Sequence, residues 1–143
     1  MRTSAAGNRG LTLLELLIVM AIMALATAGV SFAIRDSAES QLEREAQRLA
    51  ILLETARAQS HLSATPVRWQ PTATGFSFEG LPGSALPSHW LGSDVRVVAP
   101  ASVVLGPEPI IGPQRIRLVS LAQPQRGLTV ATDGVRPFTV LTD

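Results

Sequence analysis

Apolar and polar positions divide the chain into three regimes. From Leu16 to Ile34 no charged residue occurs, and Thr27, Gly29 and Ser31 are the only clearly non-apolar members. Wound as a helix, such a run covers roughly 30 Å, the thickness of bilayer hydrocarbon. From Asp36 to Ser63 the pattern becomes amphipathic in a stretch free of Gly and Pro. Leu42, Ala46, Leu49, Leu53 and Ala56 recur at alternating steps of four and three, which sets them on one helical face, while Arg44, Glu45, Arg48 and Arg57 fall mostly on others. The pattern covers about two heptads, too few for a coiled coil. It predicts a helix packed on the protein's own sheet. Pro66 disfavours helical geometry at Thr65 and supplies the stop.

Beyond Pro66 the period falls to two, the mark of strands. Val67–Gln70 and Gly75–Glu79 predict a hairpin around residues 71–74. Asp94 to Ala99 and Ser102 to Leu105 flank Pro100 and predict a second. Residues 115–121 alternate arginine with aliphatics. Leu128 to Thr132 and Val135 to Leu141 flank Asp133-Gly134, a pair suited to a tight primed turn, with Pro137 confining the last strand to an edge or bulge. Long loops rich in Gly and Pro, 80–92 and 106–113, join these runs. The predicted class is therefore α+β, with a long N-terminal helix, transmembrane in its first half and amphipathic in its second. That second half covers a C-terminal antiparallel sheet or pair of sheets. The expected division is residues 1–10 as a leader, 11–34 as a transmembrane helix, 35–65 as an amphipathic helix and 66–143 as a β domain.

Composition narrows the chemistry. The 143 residues hold 12 basic and 11 acidic side chains, so the total charge implies no polyanionic partner. Every basic residue is arginine. Cysteine is absent, which excludes disulfides, thiol nucleophiles and thiolate metal sites and suits an extracytoplasmic domain. The two histidines, His61 and His89, show no metal-ligand spacing, and neither a nucleophile elbow nor a phosphate-cradling loop occurs. No enzyme activity, cofactor or metal is expected. Arg115 and Arg117 share a strand face, and Arg126 and Arg136 join them if the last strands pair, a candidate basic patch of four guanidinium forks. The rest of the soluble part is near charge balance, so a nucleic-acid partner is not expected.

One acidic residue stands at the front of the apolar run. A carboxylate in lipid costs on the order of 2.5–3.5 kcal/mol at mid-bilayer, less near the interface, so Glu15 needs a partner. A cleaved secretory signal matches weakly at Ala24-Leu25-Ala26 and Ala26-Thr27-Ala28 and leaves the glutamate unexplained, as does a plain signal anchor.

Arg9-Gly10 followed by Leu11-Thr12-Leu13-Leu14-Glu15 resembles the leader and processing site of type IV pilins and type II secretion pseudopilins. The family's mature chains usually begin with Phe or Met, where this one has Leu11. The segment ending EAQRLAILLETARAQSHLSATPVRW, the GFSF strand and Gly134-Val135-Arg136-Pro137-Phe138 look like the H-type minor pseudopilin of type II secretion. That resemblance implies cleavage between Gly10 and Leu11 by a prepilin peptidase, N-methylation of Leu11, and Glu15 as the assembly residue. It implies assembly near the tip of a periplasmic pseudopilus that helps export folded proteins. The implied partners are other major and minor pseudopilins, the peptidase and N-methyltransferase, the inner-membrane assembly platform and the lipid bilayer. The implied location is the bacterial inner membrane, crossed once with the N-terminus cytoplasmic and the C-terminal domain periplasmic, and then the pseudopilus. A type IV minor pilin, for pilus assembly or DNA uptake, and a signal-anchored periplasmic binding domain are the alternatives.

Overall fold

A computed structural model describes residues 12–81, 86–98 and 102–142, with backbone alone at 31–36. The expected leader, with Gly10 and Leu11, and the turn at Pro100 lie outside the described residues. The architecture is α+β, as the residue pattern predicts. The order is α1 (Leu13–Ser63), β1 (Arg68–Pro71), β2 (Phe76–Glu79), β3 (Val95–Val98), β4 (Val103–Val104), β5 (Gln114–Ser120), β6 (Gln123–Thr132) and β7 (Thr139–Thr142). The chain divides into two compact units, Met1–Ile34 and Arg35–Asp143.

In the first unit, Leu13–Val30 is a helix long and apolar enough to cross a membrane, and it is unburied among the described residues. Thr12 starts it. Its hydroxyl accepts the Glu15 N–H at 3.3 Å, satisfying one of the donors that a helix N-terminus leaves open. Farther along, the Thr27 hydroxyl donates to the Met23 carbonyl at 2.7 Å, so its polarity is consumed within the helix.

In the second unit, the predicted face packs as expected. Leu42, Ala46, Leu49, Leu53 and Ala56 are all buried and meet Val67, Trp69, Phe76, Ile116, Leu118 and Val130. The strands form two antiparallel sheets, β2-β1-β4 and β3-β5-β6-β7. Trp69, Phe76 and Phe78 line the inner face of the smaller sheet. Phe76 meets Phe78 and Trp90 edge-on at 5.8 and 4.7 Å between ring centres. Gln114 joins the sheets. From the start of β5 its side-chain amide bonds both backbone groups of Val104 in β4, at 3.0 and 2.6 Å.

The first predicted hairpin is present, with Arg68 opposite Glu79 and Pro71 opposite Phe76. The second is not. β3 pairs with β5, whereas β4 pairs with β1 in the other sheet, because Val95 and Val103 each gain burial beneath a different partner. The last predicted hairpin is present, with Leu128 opposite Thr142 and Ala131 opposite Thr139, but its Asp-Gly turn is not tight. β6 ends at Thr132 and β7 begins at Thr139, so 133–138 form a wide loop and Pro137 lies outside the strand. Asp133 builds that loop by accepting the Val135 and Arg136 N–H groups at 3.0 and 2.8 Å, an Asx turn in place of a primed turn. The true tight turn is Leu121-Ala122, between Ser120 and Gln123, after which Pro124, Gln125 and Arg126 bulge from the β5–β6 ladder.

Two helix residues placed on outer faces by periodicity are buried. Glu45 is 1 % and Arg57 7 % exposed. Glu45 Oε1 accepts the N–H groups of Leu91 and Gly92, the latter at 3.0 Å, and Oε2 lies 3.4 Å from Arg48. Arg48 in turn donates to the His89 carbonyl at 2.9 Å. Arg57 donates to the carbonyls of Gly134, Pro109 and Arg136 at 2.9, 3.3 and 3.5 Å. Beside it, Glu54 accepts the Phe138 N–H at 2.9 Å. Loops without a ladder of their own satisfy their backbone through these two buried charges.

Candidate functional site

The membrane-type helix carries one acidic residue, Glu15, in its first turn. Thr12 at the N-cap and Glu15 at the third helical position have the spacing of a capping box. The hydroxyl half of that box is formed, by the Glu15 N–H on Thr12 Oγ1. The carboxylate is exposed on the helix surface, where Leu13, Leu14, Leu16 and Leu17 are also exposed at 53–79 %. The first helical turn thus offers a negative charge amid side chains that water would disfavour. Such a turn is chemically suited to meeting a cation inside an apolar layer. From Leu16 through Val30 the helix surface is apolar and uncovered, and backbone alone continues the helix to Ile34.

The four arginines of the candidate patch are not brought together. Arg115 and Arg117 lie exposed on the outer face of β5, opposite Ala131 and Thr129. Arg126 instead reaches the helix and pairs with Glu39 at 3.0 Å. Arg136 pairs with Asp133 at 2.7 Å in the 133–138 loop. The reason is the bulge at 124–126 and the wide loop, which take both residues off the strand alternation. Arg96 takes their place on the outer face, opposite Val119 in β3, with its guanidinium 3.0 Å from the Ala73 carbonyl. The alternation in Val95-Arg96-Val97-Val98 carried that signal, but only the β3–β5 pairing makes it a neighbour of Arg117.

The Asp133 carboxyl is held well below the usual carboxylate range. The Arg136 backbone N–H is the main cause, followed by the Arg136 guanidinium and the Val135 N–H. Among the described residues no group of three or more His, Cys, Asp or Glu side chains is placed to hold a metal ion. His61 Nε2 lies 3.1 Å from the Glu108 carbonyl. His89 forms an isolated bridge with Gly75.

Residues 6–31 match the family model of the prokaryotic N-terminal methylation motif. The match spans Gly10, Leu11, Glu15 and most of the uncovered helix, so the chain carries a type IV pilin-like prepilin signal followed by a single-pass membrane anchor. No curated protein and no solved structure matches the chain.

Proposed function

We propose that this chain is a minor pseudopilin of a type II secretion system, cut between Gly10 and Leu11 and methylated at Leu11. It is then drawn from the inner membrane into a short periplasmic filament, near its tip, that helps export folded proteins. The observation that carries this reading is the methylation motif at residues 6–31 with Glu15 in the first turn of an apolar helix whose Leu13–Val30 stretch is unburied among the described residues. The physical logic is a charge pair across subunits. A terminal amine and a carboxylate at 4 Å attract by about 1 kcal/mol in water and by about 4 kcal/mol at the effective dielectric of a partly desolvated site. The methylated amine of one mature chain and Glu15 of the next therefore relieve each other's burial cost in the apolar layer. The same pair forms only between chains in matched register.

The described domain supplies a rigid body on this anchor and no catalysis or cofactor is required of it. The partners are other pseudopilins, the prepilin peptidase and methyltransferase, the inner-membrane assembly platform and the bilayer. The motif is shared by type IV minor pilins, and the phenotype of a deletion separates the two: loss of protein secretion supports the pseudopilin, loss of twitching or DNA uptake the pilin.

The test is mass spectrometry of the mature N-terminus together with Glu15→Ala. A methylated Leu11 is expected in the wild type. The variant is expected to insert and be processed, yet to be lost from the filament, with secretion reduced at least tenfold. A wild-type protein that begins at Met1 and is fully active contradicts the reading.

A further inference from the structure

Asp133-Gly134 is the only Asp-Gly or Asn-Gly pair in the sequence, and it is the pair most open to spontaneous chemistry. In a flexible chain the Gly134 nitrogen attacks Asp133 Cγ. The amide hydrogen and the carboxylic OH leave together as water, and a five-membered imide closes. Water then opens the imide at either carbonyl, which restores aspartate or gives an isoaspartyl linkage that runs through Cβ and Cγ. One water is lost and one regained, so no oxidant, cofactor or enzyme enters the balance. Glycine at the second position favours the attack, because it places no side chain in the way of the nitrogen.

The fold uses both residues. Gly134 stands at φ +94° against the Ile111 carbonyl, where a Cβ would overlap, so a residue with a side chain is strained there. Asp133 accepts the Val135 and Arg136 N–H groups at 3.0 and 2.8 Å in a loop that has no ladder of its own. The same loop restrains the reaction at each of its atoms. The attacking Gly134 N–H donates to Thr132 Oγ1 at 2.9 Å, and that hydroxyl is oriented by donating to the Arg136 carbonyl at 2.6 Å. Asp133 Oδ1 holds the two backbone N–H groups, and Oδ2 holds the Arg136 guanidinium at 2.7 Å. Donors on both oxygens favour the carboxylate, whereas ring closure needs the carboxylic acid, whose OH is the leaving group. Asp133 is 44 % and Arg136 84 % exposed, so these bonds, and not burial, restrain the pair.

We infer that the Asp133 turn is a chemical lock: it keeps Asp133-Gly134 from isomerising in the folded chain, and the pair becomes the site of isoaspartate formation when the turn opens. The consequence reaches the helix. An isoaspartyl linkage adds one carbon to the backbone directly before Gly134, whose carbonyl accepts both Arg57 at 2.9 Å and the Ile111 N–H at 3.3 Å. Arg57 is 7 % exposed and also holds the Pro109 and Arg136 carbonyls. A lengthened loop moves the Gly134 carbonyl off the guanidinium, and a buried charge loses its shortest bond. One covalent event at an exposed turn thereby weakens the loops 106–113 and 133–138 together. The inference concerns the chemistry of the domain itself and holds whichever filament the chain joins.

The test ages the full-length chain in detergent at neutral pH, folded and in denaturant, with a peptide of residues 130–137 under both conditions to correct for the denaturant. Peptide mapping separates the isoaspartyl form, which has the mass of the original and a different retention. Isoaspartate at Asp133 is expected to form at least tenfold more slowly in the folded chain than in the unfolded one, because the turn must open first. Arg136→Ala, at an exposed position, is expected to raise the folded rate about threefold while cooperative melting is retained. Thr132→Val, which removes the acceptor of the Gly134 N–H, is expected to raise it as well, and Thr132→Ser, which keeps that acceptor, is not. The isomerised fraction is expected to melt below the unmodified chain. Equal rates in the folded and unfolded wild type overturn the inference without recourse to any variant. A folded rate that neither Arg136→Ala nor Thr132→Val raises also overturns it, and an isomerised fraction that melts with the unmodified chain overturns the link to Arg57.

Discussion

At the scale of single residues, the buried charges matter more than their number implies. Glu45 is surrounded by two backbone N–H groups and Arg48, so its removal leaves the N–H groups of Leu91 and Gly92 without their acceptor and Arg48 without its carboxylate. Glu45→Ala is expected to destabilise the domain by about 3–5 kcal/mol, the range for breaking a buried ionic contact. Glu45→Gln keeps one acceptor oxygen and should lose less. Denaturant midpoints of the two variants, compared with wild type, check the order. Asp133 is a different case, exposed and held by a turn. Its folded-state pKa is depressed, so the folded form binds the proton less readily than the unfolded chain. The stability it contributes is complete above the unfolded value of about 3.9 and is lost as pH falls from there through the folded value. Asp133→Asn should lower the thermal midpoint at neutral pH and flatten its acid limb below about pH 4, so that variant and wild type converge as the pH falls. An acid limb identical to wild type would show that the turn is unlinked to folding.

At the scale of elements, the helix in the second unit demonstrates how far periodicity reaches. The steps of four and three mark Leu42, Ala46, Leu49, Leu53 and Ala56, and all five are core residues. Leu53, fully buried, should cost about 2–5 kcal/mol on truncation to alanine. Ile51, two residues away and 67 % exposed, should stay within about 0.5 kcal/mol as Ile51→Ala. Unfolding curves that did not separate these variants would deny the packing its role. Periodicity could not mark Glu45 or Arg57, because hydrophobic pattern ranks a charged residue as exposed. Only the loops that fold over the helix give these two their acceptors and donors. The strands show the same boundary. Alternation located β1, β2 and β5, yet it could not say that β3 and β4 separate into different sheets. Pairing depends on partners distant in sequence, and a short run carries no record of them.

At the scale of the whole molecule, the chain joins an uncovered apolar helix to a unit with its own core. The signal and the domain should therefore fail separately. Gly10→Val is expected to block cleavage and leave a longer, unmethylated chain whose β domain melts as in the wild type. Precursor length on a gel and the melting curve of the same preparation test the two halves of that statement. A domain that unfolded with the leader retained would mean the two depend on each other.

By itself the amino-acid sequence determined the anchor, the lone carboxylate at its head, the processing signal, the covering helix face and the α+β class. Each of these is written in local order, as composition, spacing or period, and needs no distant residue to be recognised. The tertiary structure alone decided the partition into two sheets, the burial of Glu45 and Arg57, and the scattering of the four arginines. These depend on which backbone groups find partners across the fold, and a contact between residues far apart in the chain has no signature in either neighbourhood.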